Sequence, residues 1–164
     1  MSDEAGQRNG ASSRSEFIAR ARELLIALNA SSGRDIVLVD LDFSPWPLDD
    51  AAVVDALTRW IRLPGRHLHL VGARFDVVER EQGRFAAWRK PFSHAIGCLT
   101  PTDVDPSDLP SLLLTGAGCL ELLDRERWQA RWSTDRRSWL LQRERIDALV
   151  QRSEPAWPVT ALGL

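Results

Sequence analysis

The sequence has almost no lysine. Lys90 stands alone against twenty arginines, and tyrosine is absent. There are three histidines (His67, His69, His94) and two cysteines (Cys98, Cys119), with no Cys-x-x-Cys and no Cys/His spacing suited to zinc. Both cysteines lie in apolar runs, where a free thiol behaves as a small hydrophobe. No apolar stretch reaches the ~18 residues of a membrane span, and the opening MSDEAGQRNGASSRSE holds no apolar core of a secretory signal. These absences point to a cytoplasmic protein with no membrane partner. A net charge of −2, from 21 basic and 23 acidic residues, gives no basic footprint and argues against nucleic acid as a partner. The preference for arginine has two readings. One is coding bias; the other is recognition of anions, since a guanidinium binds carboxylate and phosphate through two parallel hydrogen bonds.

What is present fits one globular domain. The chain has 164 residues, 44% of them hydrophobic and 27% charged. Residues 1–13, small and polar, read as a disordered tail; residues 14–164 read as a single α/β domain. The organising stretch is Arg34–Asp50, RDIVLVDLDFSPWPLDD. Ile36-Val37-Leu38-Val39 is a short, mostly β-branched run, as in a strand buried on both faces. Asp40 and Asp42 follow at its carboxyl end, then a proline-rich loop and a helical pattern from Asp49. Ligands of open α/β sheets bind beyond such edges.

Around that unit the periodicities predict a helix from Ser15 to Leu28, one over Asp49–Arg62, a strand at Arg66–Val71, a helix over Phe75–Trp88 and a strand at Ser93–Leu99. A hairpin follows, from Ser111–Leu114 and Cys119–Leu123 around Thr115-Gly116-Ala117-Gly118. Arg125–Asp135 is ambiguous, with Trp128 and Trp132 spaced for one helix face. Arg136–Arg152 is a helix, and the apolar end SEPAWPVTALGL is expected to dock on the body or a partner subunit. The expected fold is therefore a mixed, mostly parallel sheet of about five strands, flanked by helices, with an antiparallel C-terminal hairpin.

Few residue groups suggest chemistry. Asp40-Leu41-Asp42-Phe43-Ser44 resembles the first motif of haloacid dehalogenase-type phosphotransferases, which would make Asp40 a nucleophile, Asp42 an acid/base and magnesium their companion. The supporting lysine and downstream acidic pair are missing, and two aspartates capping a loop is the plainer reading. His67 and His69 share a strand face but make only half a zinc shell, so no metal and no cofactor is expected. Arg125–Arg137 interleaves arginine with Trp128 and Trp132, as in grips on single-stranded nucleic acid; Arg89, Arg125, Arg131 and Trp128 would be its contacts.

The stretches RDIVLVDLDFSPWPLDD, GRHLHLVGARFD and SLLLTGAGCLELLDRERW, in that order, resemble one half of a phospholipase D-like domain, and specifically its divergent bacterial relatives. The resemblance implies parallel β-α units leading to a hairpin, and two halves paired as a homodimer. Its catalytic signature, His-x-Lys-x4-Asp, would fall on Ser111, Leu113 and Gly118, so no catalytic residue carries over. The expected function is a non-catalytic interaction or regulatory module whose partner is itself, another protein or a small anionic ligand. The alternatives are a metal-dependent phosphohydrolase using Asp40 and Asp42, or an anion- or nucleic-acid-binding module. Asp40, Asp42, Arg74, Arg89 and His94 are the candidate ligand cleft.

Overall fold

The computed structural model describes residues 10–159. In chain order its elements are β1 (Gly10–Ala11), α1 (Arg14–Ile26), β2 (Asp35–Asp40), α2 (Ala51–Ile61), β3 (His67–Gly72), α3 (Asp76–Glu81), α4 (Gly83–Trp88), β4 (Ile96–Pro101), β5 (Leu112–Thr115), β6 (Gly118–Asp124), β7 (Gln129–Ser133), α5 (Arg136–Gln151) and β8 (Ser153–Pro155), with two single 3-10 turns between them. The long helices start where a side-chain oxygen can take up free amides. Ser13 caps α1 by accepting from the Glu16 amide, Asp50 caps α2 through Ala52 and Val53, and Asp135 caps α5 through Ser138.

All eight strands form one sheet in the order β1-β7-β6-β5-β2-β3-β4-β8. Only β2–β3 and β3–β4 pair in parallel; β2–β5, β5–β6, β6–β7, β1–β7 and β4–β8 are antiparallel. This overturns the expectation of a mostly parallel, five-stranded sheet. Parallel pairing is confined to the strands joined by helical crossovers, and three additional strands lie outside them. β7 occupies the stretch read as ambiguous. Trp128 and Trp132, spaced as on a helix, also satisfy the two-residue period of a strand, and Trp128 stands at a turn with φ of 57°. β1 falls within the stretch assigned to a disordered tail; residues 1–9 of that tail lie outside the described residues. The C-terminal stretch docks on the body, β8 on β4 and Trp157 against Phe75 and Arg89; residues 160–164 lie outside the described residues.

The helices are unevenly shared between the two faces. β2, β3 and β4 follow one another in one direction, so right-handed crossovers place α2 and the α3–α4 pair on the same face. α1 joins them there, and Phe17, Leu25, Ile36, Leu38, Trp46, Leu57, Trp60, Leu70, Phe85, Leu113 and Leu120 form the larger core. Among the described residues the other face is covered by α5 alone, over a smaller core of Val37, Val39, Val71, Leu112, Leu114, Cys119 and Ile146. Ile146 is the one fully buried residue of α5, and Leu140 and Leu141 on the same helix are 45% and 60% exposed.

The expected helix over Phe75–Trp88 is broken at Gln82, and the break has a use. Gln82 is buried; its carbonyl accepts the Leu48 and Asp49 amides at 3.0 Å each, and its amide donates to the Phe43 carbonyl at 3.1 Å. The loop carrying Ser44-Pro45-Trp46-Pro47 has no strand or helix to satisfy its backbone, and this side chain supplies the missing partners. Gly72 serves the same loop: a Cβ there would meet the Phe43 ring at 2.5 Å.

Candidate functional site

The carboxyl end of β2 is built around Asp40, which alternation turns toward the larger core, where it is 0% exposed. Its Oδ2 accepts the amides of Phe43 (2.7 Å) and Asp42 (3.1 Å), and its Oδ1 accepts the hydroxyl of Ser111. Arg125, from the turn after β6, places Nη1 at 3.0 and 3.2 Å from the two oxygens and Nη2 at 3.3 Å from Asp42. Ser44 donates to Asp42 from both its amide (3.0 Å) and its hydroxyl (2.7 Å). Burial works to raise the Asp42 carboxyl, but the Ser44 hydrogen bonds, with help from Arg125, outweigh it and hold Asp42 below the ordinary carboxylate range.

This arrangement overturns the phosphohydrolase reading of Asp40 and Asp42. A carboxylate has about four lone-pair sites, and those of Asp40 are taken up by five protein contacts. No lone pair faces solvent to attack phosphorus or to hold magnesium. The positions that the phospholipase D-like resemblance would make catalytic are equally committed. Ser111 is tied to Asp40, Leu113 is 1% exposed in the core, and at Gly118 a Cβ would meet the Ser133 carbonyl at 2.6 Å.

The five residues taken as a ligand cleft do not converge. Arg74 is exposed, and only its backbone amide is engaged, by Leu41. His94 is exposed before the start of β4. Since β2 and β4 run parallel, that is the opposite end of the sheet from Asp40, roughly 20 Å away at ~3.3 Å per residue. Arg89 is 4% exposed, and its Nε has no hydrogen-bond partner among the described residues. Its guanidinium lies 3.6 Å from the centre of the Trp157 ring, and Trp157 is itself anchored by donating Nε1 to Glu79 at 2.8 Å. Burial pulls the Arg89 pKa down from its ordinary value, against the opposing pull of Cys98 and Glu79. The two thiols are inert, pushed by burial to about 11 at Cys98 and about 12 at Cys119.

The residues singled out for an anion grip are likewise dispersed. Arg125 is consumed by Asp40 and Asp42, Arg89 is covered by Trp157, and Trp128 packs on Phe17 in the core with ring centroids 5.9 Å apart. Arg131 alone is exposed and makes no ion pair or side-chain hydrogen bond among the described residues. It belongs to a wider group. Arg34, Arg131, Arg136 and Arg137 lie around the start of α5 and are all exposed, and no acidic side chain pairs with any of them among the described residues. The charge of the chain is therefore uneven. Residues 125–145 hold seven arginines against three acids, a surplus of four, which leaves the remainder six negative.

A scan against protein-family models and a search of curated proteins both match nothing. Among solved structures the chain is similar to TrmBL2, described as an archaeal chromatin protein that shows a novel mode of DNA binding. The TM-score is 0.63 at 14% sequence identity, over 90% of this chain and 53% of that one. The likeness establishes a shared fold, and this chain spans about half the length of the neighbour. Sequence reasoning missed Arg34 and Arg136 because each looks like an ordinary boundary residue, one before a strand and one opening a helix. Only the sheet order brings them together. Among the described residues no helix is long and apolar enough to cross a membrane.

Proposed function

We propose that this chain is a non-catalytic module that associates with nucleic acid through phosphate contacts. The observation that carries the reading is the fold, shared over 90% of the chain with part of a chromatin protein described as binding DNA. The distribution of arginine supports it. The whole-chain charge argues against nucleic acid, but binding is decided by the surface presented, and Arg34, Arg131, Arg136 and Arg137 are exposed with no acidic partner among the described residues. Saturation of Asp40 by Ser111, Arg125 and two backbone amides supports the non-catalytic part. The reading takes up the nucleic-acid-binding alternative in place of the interaction module inferred from the phospholipase D-like resemblance.

The test is a mobility-shift series with a mixed-sequence DNA duplex at several salt concentrations. The expected result is binding at low salt that weakens linearly on a double-logarithmic plot, with a slope of about −0.9 per phosphate engaged. No retarded species at low salt, or binding indifferent to salt, rejects the reading.

A further inference from the structure

The amino end of β2 opens onto a groove of about 620 Å³ lined by Gly33, Arg34 and Asp35, by Gly116 and Ala117 of the β5–β6 turn, by Thr134 ahead of α5, and by Arg136, Trp139 and Arg143 within it. Three arginines, one ahead of β2 and two on α5, border this one space. Arg34 and Arg136 make no side-chain hydrogen bond or ion pair among the described residues, and Arg143 meets only Asp147, one turn along its own helix, at 3.4 Å. The one acid in the lining, Asp35, is turned to His69, with Nε2 and Oδ1 3.1 Å apart. Part of the backbone around the groove is already engaged. The Gly116 amide donates to the Ser32 carbonyl (2.6 Å), the Ala117 amide to the Thr115 hydroxyl (3.1 Å), and Asp135 caps the first turn of α5. The full positive charges that border the groove are those of the guanidinium groups.

The floor is rigid enough to make them a site. Trp139, half-buried, donates Nε1 to the Thr115 carbonyl at 2.7 Å, which pins the start of α5 to the β5–β6 turn. The Arg136 guanidinium lies 5.7 Å from the Trp139 ring centre, an orientation that cation–π attraction favours. A Cβ on Gly116 would meet the Ser32 carbonyl at 2.9 Å, so the turn lies directly on the segment that leads into Arg34. Arginines held on such a frame match the two-oxygen face of a phosphate group.

We infer that the groove bordered by Arg34, Arg136 and Arg143 is the seat of a phosphodiester backbone. This rests on the nucleic-acid reading above and names its contact surface. The site lies at the opposite end of β2 from Asp40, and a duplex seated there leaves the Arg125 network untouched.

The experiment compares the full-length chain with two triple variants of equal charge change. One is Arg34→Ala/Arg136→Ala/Arg143→Ala; the other is Arg59→Ala/Arg74→Ala/Arg80→Ala, three exposed arginines away from the groove. Fluorescence anisotropy with a labelled mixed-sequence duplex reads affinity against salt, and melting curves establish that both variants fold. The groove triple is expected to lose about 10- to 100-fold in affinity and about two to three units of salt slope, and the control at most ~3-fold. Restoring charge with Arg34→Lys/Arg136→Lys/Arg143→Lys is expected to recover the slope. Equal losses in both triples overturn the assignment while leaving the nucleic-acid reading intact. If the unaltered chain ignores the duplex, that reading fails, and the groove is tested with inorganic tripolyphosphate and with polyglutamate, followed by the tryptophan indole N–H signals in NMR. Tripolyphosphate shifts abolished in the groove triple support a phosphate seat. Response to polyglutamate alone, or to neither, overturns it.

Discussion

The two ends of β2 present the same chemistry in opposite states. At the carboxyl end one arginine, Arg125, meets two aspartates, and the buried carboxylate of Asp40 is saturated. At the amino end three arginines border one groove, and the only acid between them is engaged by His69. An arginine already matched to a buried acid holds the fold together, whereas one without a partner is available to a ligand. Counting arginines cannot separate the two cases; pairing can.

The largest effect is expected from breaking the matched end. Arg125→Met leaves the Asp40 charge buried without its cation. Because Arg125 is partly exposed and Asp40 keeps three other donors, the cost falls toward the lower part of the range for broken buried pairs, about 3 kcal/mol in urea denaturation. Adding Asp40→Asn removes the stranded charge and should recover more than half of that loss. A single-variant cost below ~1 kcal/mol would show that Arg125 is not a structural partner.

A smaller effect is expected from acid. Asp42 has its folded-state pKa below the ordinary value of 3.8. The folded protein thus binds this proton less readily than the unfolded chain, so the stabilisation is complete above about 3.8 and is lost as pH falls below it. Melting temperature measured down from pH 5 should decline in that window, and Asp42→Asn should make the decline shallower; an unchanged slope would remove Asp42 from the account. The smallest effect tests the other end of the strand. Arg34→Met strands no acid, so stability should move by no more than ~0.5 kcal/mol. A loss comparable to that of Arg125→Met would erase the contrast between the two ends.

Much of the scaffold was legible in the sequence, and the site was not. Ile36–Val39 could be read as a strand because apolar residues on consecutive positions need cover on both faces, which β2 has. The capping aspartates Asp50 and Asp135 stand where helix starts require them. The outer strands carried no signal because β1, β7 and β8 each bury little; Gly10-Ala11, Gln129–Ser133 and Ser153–Pro155 carry no apolar run. Parallel pairing was overextended for the same reason, since only unseen strands could tip the sheet toward antiparallel pairing. The cleft of Asp40, Asp42, Arg74, Arg89 and His94 was assembled on the assumption that strand ends gather ligands. No local pattern could reveal that Arg125, 85 positions away, closes that end, or that Trp157 lies over Arg89.

Among the described residues, both margins of the sheet are formed by its shortest strands. β1 has two residues, and β8 has three and ends in Pro155. Such brief margins, one of them bearing a proline, give a neighbouring chain almost no ladder to extend. Clipping either flank would uncover the longer strand beneath, β7 or β4, as a raw template for head-on stacking between copies. Among the described residues, the guard against such stacking thus rests on the two shortest strands of the sheet.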